Sequence, residues 1–122
     1  MTVCDDAIVI LGIVPTHPET GYGYLQADRG KGEAHAVKAF IEKPSQGRAK
    51  DLIAQGDCFW NGGMFIFQVK TMLAELQTWA PDLLDLVKRA INDGRDDEDF
   101  FRLNREVFAQ IPSVSIDHAV ME

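Results

Sequence analysis

Residues 7–13, AIVILGI, form an unbroken apolar run rich in β-branched side chains and bounded by Asp5-Asp6 and Pro15. That pattern predicts a strand buried on both faces. VPTHPETG (14–21) holds two prolines and a glycine, which excludes regular structure. YGYLQA (22–27) resumes as a strand, KGE (31–33) interrupts it, and AHAVKAFIE (34–42) predicts the next. Ser45 is placed to cap a helix through QGRAKDLIAQ, with Ala49, Leu52 and Ile53 on one face and Gly56 at its stop. GGMFIFQV (62–69) predicts another buried strand, and residues 71–79 a helix. Pro81 suits the first position of a further helix, whose stripe of Leu83, Leu84, Val87, Ala90 and Ile91 runs to Gly94. The acids at 96–99 suit the positive end of another helix dipole, with Phe100, Leu103 and Val107 as its buried face. Ser115 is a candidate cap for a last helix.

Strands interleaved with helices, then a helical C-terminal third, predict an α/β layered domain with helices packed on a mixed sheet. A chain of 122 residues is one domain's worth and is expected to fold alone. The excess of 19 acids over 12 bases leaves a net charge of −7, a field that repels nucleic acid and anionic membranes. A bound phosphate must then find a local cation or a cradle of N–H donors. No apolar run is long enough for a membrane span and no leader pattern is seen, so a cytoplasmic protein is expected. Cys4 and Cys58 lack C-x-x-C spacing and are expected to be reduced.

Three stretches carry candidate chemistry. FIEKP (40–44) ends a strand on Glu42 and Lys43, and Pro44 stiffens the exit. At a sheet rim, Glu42 can accept from adjacent hydroxyls while Lys43 supplies a point charge for a phosphate. In FWNGGMF (59–65), Asn61 sits beside Trp60 and before two glycines, a pattern that serves either a sugar site or an Asn-Gly turn. PETGYGY (18–24) alternates glycine with tyrosine, either as a ligand-facing backbone or as a tight turn. His17 and His118 have no partners at metal spacing and read as surface or packing residues.

GIVPTHPETGYGY, FIEKP, WNGGMF and SIDHAVME occur here in an order and spacing that resembles the mannose-1-phosphate guanylyltransferases, from about Ile8 to Glu122. That resemblance implies the Rossmann-like α/β core of the sugar nucleotidyltransferases. It implies guanylyl transfer from GTP to mannose 1-phosphate, with Mg²⁺ organising the charges. It maps Glu42 and Asn61 to sugar hydroxyls, Lys43 to the sugar's phosphate, the backbone around Thr20 and Gly23 to the sugar pocket, and Asp117 to the metal. The sequence departs from the family in lacking the nucleotide-binding loop G-x-G-x-R-L-x-P-L and the other metal aspartate. Gly62 stands where the family usually has serine, and His118 where an aromatic is common.

The expectation is therefore the sugar-phosphate-binding, C-terminal part of such a catalytic domain, starting at Met1, incomplete as a catalyst alone and without a tight Mg²⁺ site. AIVILGI, left without covering elements, is expected to drive homo-oligomerisation. The alternative is a non-catalytic remnant of the fold kept for oligomerisation or partner binding.

Overall fold

A computed structural model describes residues 6–28, 32 and 34–121. They group into two compact units, the first reaching to Gln68 and the second Val69–Val120. In the first, β1 (Val9–Ile13), β2 (Tyr24–Ala27), β3 (Val37–Ile41) and β4 (Cys58–Ile66) form a four-stranded sheet in the order β1-β4-β2-β3. Helix α1 (Gln46–Gln55) connects β3 to β4. Those two strands run the same way, but β2 lies between them and pairs with both, so every ladder is antiparallel where a mixed sheet was expected.

Helix α1 begins and ends where its caps dictate. Ser45 Oγ accepts from Arg48 N at 3.4 Å, and Gly56 takes a left-handed φ of 73° while its N–H reaches Ile53 O at 3.0 Å. The face read from the sequence is the buried one: Ala49 and Leu52 pack with Tyr24, Cys58 and Trp60, flanked by Ile41 and Ile53. Cys58 is a free, buried thiol that donates to Leu52 O at 3.0 Å, and burial first, then the charge of Asp57, pushes its pKa up. Cys4, Lys31, Glu33 and the Met1 start lie outside the described residues.

The expected strand at 7–13 is present but not doubly buried. β1 ends the sheet, and Ile13 is half exposed. β4 starts at Cys58, ahead of the expected 62, so Asn61-Gly62-Gly63 lie within a strand and make no hairpin turn. The local turn chemistry makes a bulge instead: Gly63 takes a left-handed φ of 68° and its N–H donates to Asn61 Oδ1 at 3.0 Å. A Cβ on Gly62 would lie 2.6 Å from Leu11 O, and the register shifts between Ile10 and Gly12. Met64 and Ile66 are exposed rather than buried.

In the second unit α2 (Val69–Trp79) and α3 (Pro81–Asn92) follow the sequence closely, with Pro81 in the first turn and Leu84 and Ala90 buried. The helix expected from the acids at 96–99 is instead an antiparallel hairpin of β5 (Arg95–Asp97) and β6 (Phe100–Arg102). Glu98 turns it with a left-handed φ of 54°, and Asp97 Oδ2 takes Arg102 Nε at 2.7 Å across it. Acids suit a turn as well as a helix start, and this ion pair favours the turn. Phe100 and Leu103 are consequently exposed, whereas Val107 is buried in the short α4 (Arg105–Phe108), capped by Asn104 Oδ1. Ser115 does cap the last element, taking His118 N at 3.3 Å, but residues 117–121 form a π-helical turn. No helix among the described residues is long and apolar enough to cross a membrane.

Leu52 is fully enclosed beneath the sheet. Leu52→Ala should cost about 2–5 kcal/mol of unfolding free energy in a denaturant titration; a loss under about 1 kcal/mol would mean that α1 does not close this core.

Candidate functional site

Tyr24 pairs with Trp60 on one edge of β2 and with Ile41 on the other. These side chains face α1. The preceding residue, Gly23, therefore belongs to the opposite face, in a row with Asn61 and Glu42. Gly23 O accepts from Asn61 N at 2.7 Å. A Cβ on Gly23 would lie 2.8 Å from Glu42 Oε2, 3.2 Å from Phe40 Cζ and 3.4 Å from Asn61 Cβ. Where Gly23 lacks a side chain the strand face has a notch, into which the Glu42 carboxylate, the Asn61 side chain and the edge of Phe40 close.

Lys43 joins this row from the chain's exit. Its Nζ is paired with Glu42 Oε1, and its side chain is exposed while that of Glu42 is only 10% exposed. Lys43 adopts a left-handed φ of 41° immediately before the buried Pro44. For a residue with a Cβ this conformation costs roughly 1–2 kcal/mol, and strain of this kind concentrates at functional positions.

Thr20 lies on a loop whose organiser, Glu19, the sequence reading missed. Glu19 Oε1 accepts the N–H groups of Thr20 and Gly21, both at 2.9 Å, and Oε2 lies 3.3 Å from His17 Nε2. Tyr24 donates its hydroxyl to Glu19 O at 2.8 Å and so ties the loop to β2. The N–H of Gly21 first, then His17 and the N–H of Thr20, hold the Glu19 carboxyl below its ordinary pKa. The signal available in the sequence was an acid directly before Thr-Gly, able to fold back on their amides. His17 and Tyr22 set their rings edge-on to Trp60, with centroids at 5.0 and 5.3 Å. His17 is thus a surface packing residue, as expected.

Residues 4–105 match the protein-family model described as "Nucleotidyl transferase". The chain belongs to the nucleotidyl transferase family. It is 45% identical over 123 residues to a mannose-1-phosphate guanylyltransferase of Sinorhizobium fredii, which aligns with 100% of this chain and 24% of its own length. It is 47% identical over 115 residues to the xanthan biosynthesis protein XanB of Xanthomonas campestris, covering 94% of this chain and 24% of that protein. Among solved structures, a mannose-6-phosphate isomerase from Helicobacter pylori superposes with a TM-score of 0.83 at 33% identity, over 94% of this chain and 45% of its own. The chain thus spans about a quarter of the length of the curated relatives it matches.

Within this nucleotidyl transferase chain the fold brings Gly23, Glu42, Lys43 and Asn61 together, and Thr20 sits on the adjoining loop. Asp117 belongs to the second unit, half-buried in the first turn of its π-helical segment. No three His, Cys, Asp or Glu side chains gather at metal-binding distance among the described residues. One carboxylate suits Mg²⁺ only when substrate phosphates and water complete its octahedron. Two clefts of about 300 and 410 Å³ are lined by residues of the second unit, and neither includes Gly23, Glu42 or Asn61.

Two outcomes test this geometry. Lys43→Gly should be more stable than Lys43→Ala by about 1 kcal/mol, since both lose the ammonium but only glycine tolerates the left-handed backbone; equal stabilities would remove the strain. The Glu19 contacts are complete above the ordinary carboxylate pKa and are lost as the pH falls through the lowered folded-state value. The amide resonances of Thr20 and Gly21 should therefore titrate with a midpoint below that of an unperturbed glutamate, and a midpoint at or above it would count against the cradle.

Proposed function

We propose that the row Glu42, Gly23 and Asn61, with Lys43, is the sugar-1-phosphate site of a nucleotidyltransferase acting on mannose 1-phosphate with GTP. The single observation that carries this reading is the notch at Gly23, where a Cβ would stand 2.8 Å from the Glu42 carboxylate and 3.4 Å from Asn61 Cβ. Kinship with the mannose-1-phosphate guanylyltransferases supplies the sugar and the nucleotide.

In this proposal a sugar ring lies over Gly23, and its hydroxyls donate to Glu42. Asn61 Oδ1 accepts the Gly63 N–H at 3.0 Å, so a further hydroxyl meets the NH₂ end of that amide. Lys43 has three donors, enough to keep Glu42 and take an oxygen of the sugar's phosphate. The Thr20 loop closes the side of the pocket. The sugar's phosphate oxygen then forms a bond to the α-phosphorus of GTP as the bond to diphosphate breaks. Such a transfer depends on alignment and charge neutralisation and needs no protein nucleophile. Mg²⁺ would draw one carboxylate from Asp117 and supply neutralisation of phosphate charge. The loop G-x-G-x-R-L-x-P-L does not occur in this sequence, so the proposal assigns these residues the sugar phosphate and no nucleotide contact.

The same reading places the protein in the cytoplasm, without nucleic acid or membrane partners. It retains self-association, for which the support is the position of β1 at the sheet's end with Ile13 and Val14 51% and 69% exposed.

Titration with mannose 1-phosphate, followed by ¹⁵N NMR, should shift the side-chain amide of Asn61 and the backbone amides of Gly23 and Lys43. Asn61→Ala should weaken binding by roughly ten- to a hundredfold, the 1–3 kcal/mol of a lost buried hydrogen-bond partner. Gly23→Ala should abolish it, because the added methyl displaces the Glu42 carboxylate. No response at millimolar ligand would overturn the assignment and leave a non-catalytic remnant of the fold.

A further inference from the structure

The hairpin that replaced the expected helix creates an unusual charge arrangement. Arg95 and Arg102 stand directly opposite each other across β5 and β6, the pairing in which like charges repel. Both line the cleft of about 300 Å³, together with Asp93, Leu103, Asn104 and Arg105. Arg102 is tied to Asp97, but Arg95 and Arg105 have no carboxylate partner among the described residues. Asp93 is the one acid in the lining, so the cleft keeps a positive balance in a chain whose net charge is −7.

The backbone holds these groups in place. A Cβ on Gly94 would lie 2.7 Å from Arg102 O and 2.7 Å from the Phe101 ring, so the hairpin closes tightly at its open end. Arg102 also lies over the Phe100 ring, 5.7 Å from its centroid, which restricts its guanidinium. Repulsion that the fold enforces, with two of three guanidiniums unpaired, is relieved by an anion.

We propose that this cleft binds a phosphate-class oxyanion, with Arg95 and Arg105 as its principal ligands and Arg102 as a secondary one. Planar guanidinium forks match the paired oxygens of a tetrahedral phosphate, and inorganic phosphate and inorganic diphosphate share that chemistry. The inference is independent of the sugar-phosphate reading, since it uses none of those residues.

The test is a titration of the 122-residue chain with inorganic phosphate, and separately diphosphate, at constant ionic strength set by chloride. The readout is the arginine Nε–Hε resonances. Saturable shifts at Arg95 and Arg105 are expected, with affinity weakened about tenfold by Arg95→Gln and again by Arg105→Gln. Tighter binding of diphosphate would identify a bridged phosphate as the ligand, and equal binding the free anion; either supports the site. Lys88→Gln, on the exposed surface of α3, should leave the response unchanged. The proposal is overturned by absent shifts at millimolar anion, by an undiminished response in the Arg95→Gln/Arg105→Gln double variant, or by an equal loss in Lys88→Gln, which would mean nonspecific screening.

Discussion

The register of β2 sustains both the core and the candidate site, because this strand is paired along both edges. Tyr24 is fully buried and points to α1, beside Trp60 and Leu52. Gly23, one residue earlier, points the other way and opens the notch between Glu42 and Asn61. A slip of one residue exchanges the faces, placing a tyrosine ring over the notch and an absent side chain in the core. The same hydrogen-bonded rows therefore specify stability and the shape offered to a ligand. The Tyr24 hydroxyl carries the coupling further, since its bond to Glu19 O anchors the loop that holds Thr20.

What could be read from the sequence was what is locally encoded. Ser45 and Gly56 delimit α1 by capping physics alone, and the stripe of α3 needs only the helical period. Glu42, Lys43 and Asn61 stood out as an acid, a base and an amide at strand ends, and the resemblance gave them roles. Their convergence could not be read, because it depends on β2 inserting between β3 and β4, a long-range pairing with no local mark. Asn61-Gly62-Gly63 has turn chemistry that is used within β4 as a bulge, with Gly63 left-handed, and not as the end of a hairpin, because pairing with β1 continues past it. The acids at 96–99 satisfy a helix start and a tight turn equally well. The pairing of Arg102 with Asp97, which favours the hairpin, is visible only once the chain has folded back.

Net charge also proved a poor guide to local electrostatics. An excess of acids sets the long-range field, but that field is screened beyond about 8–10 Å in physiological salt. Within that distance, Lys43 at the notch and the arginines of the hairpin act on their own neighbours. Both lie beside carboxylates, Glu42 in one case and Asp93 and Asp97 in the other. Lys43 and Arg102 are each paired with a resident acid, whereas Arg95 and Arg105 are not among the described residues, so the two places differ in the positive charge they leave uncompensated.

The exit Glu42-Lys43-Pro44 departs from strand geometry. In a continuing strand, consecutive side chains point to opposite faces, which would set the acid in the notch and the amine among the α1 contacts. The left-handed turn at Lys43 breaks that alternation and brings its ammonium to the carboxylate of Glu42. Buried Pro44 fixes the next φ, and Ser45 starts α1 at once, so the chain has no slack with which to relax the turn. The strained backbone thus holds a carboxylate and an ammonium on one side of the sheet, the two groups that the proposed sugar-phosphate site requires.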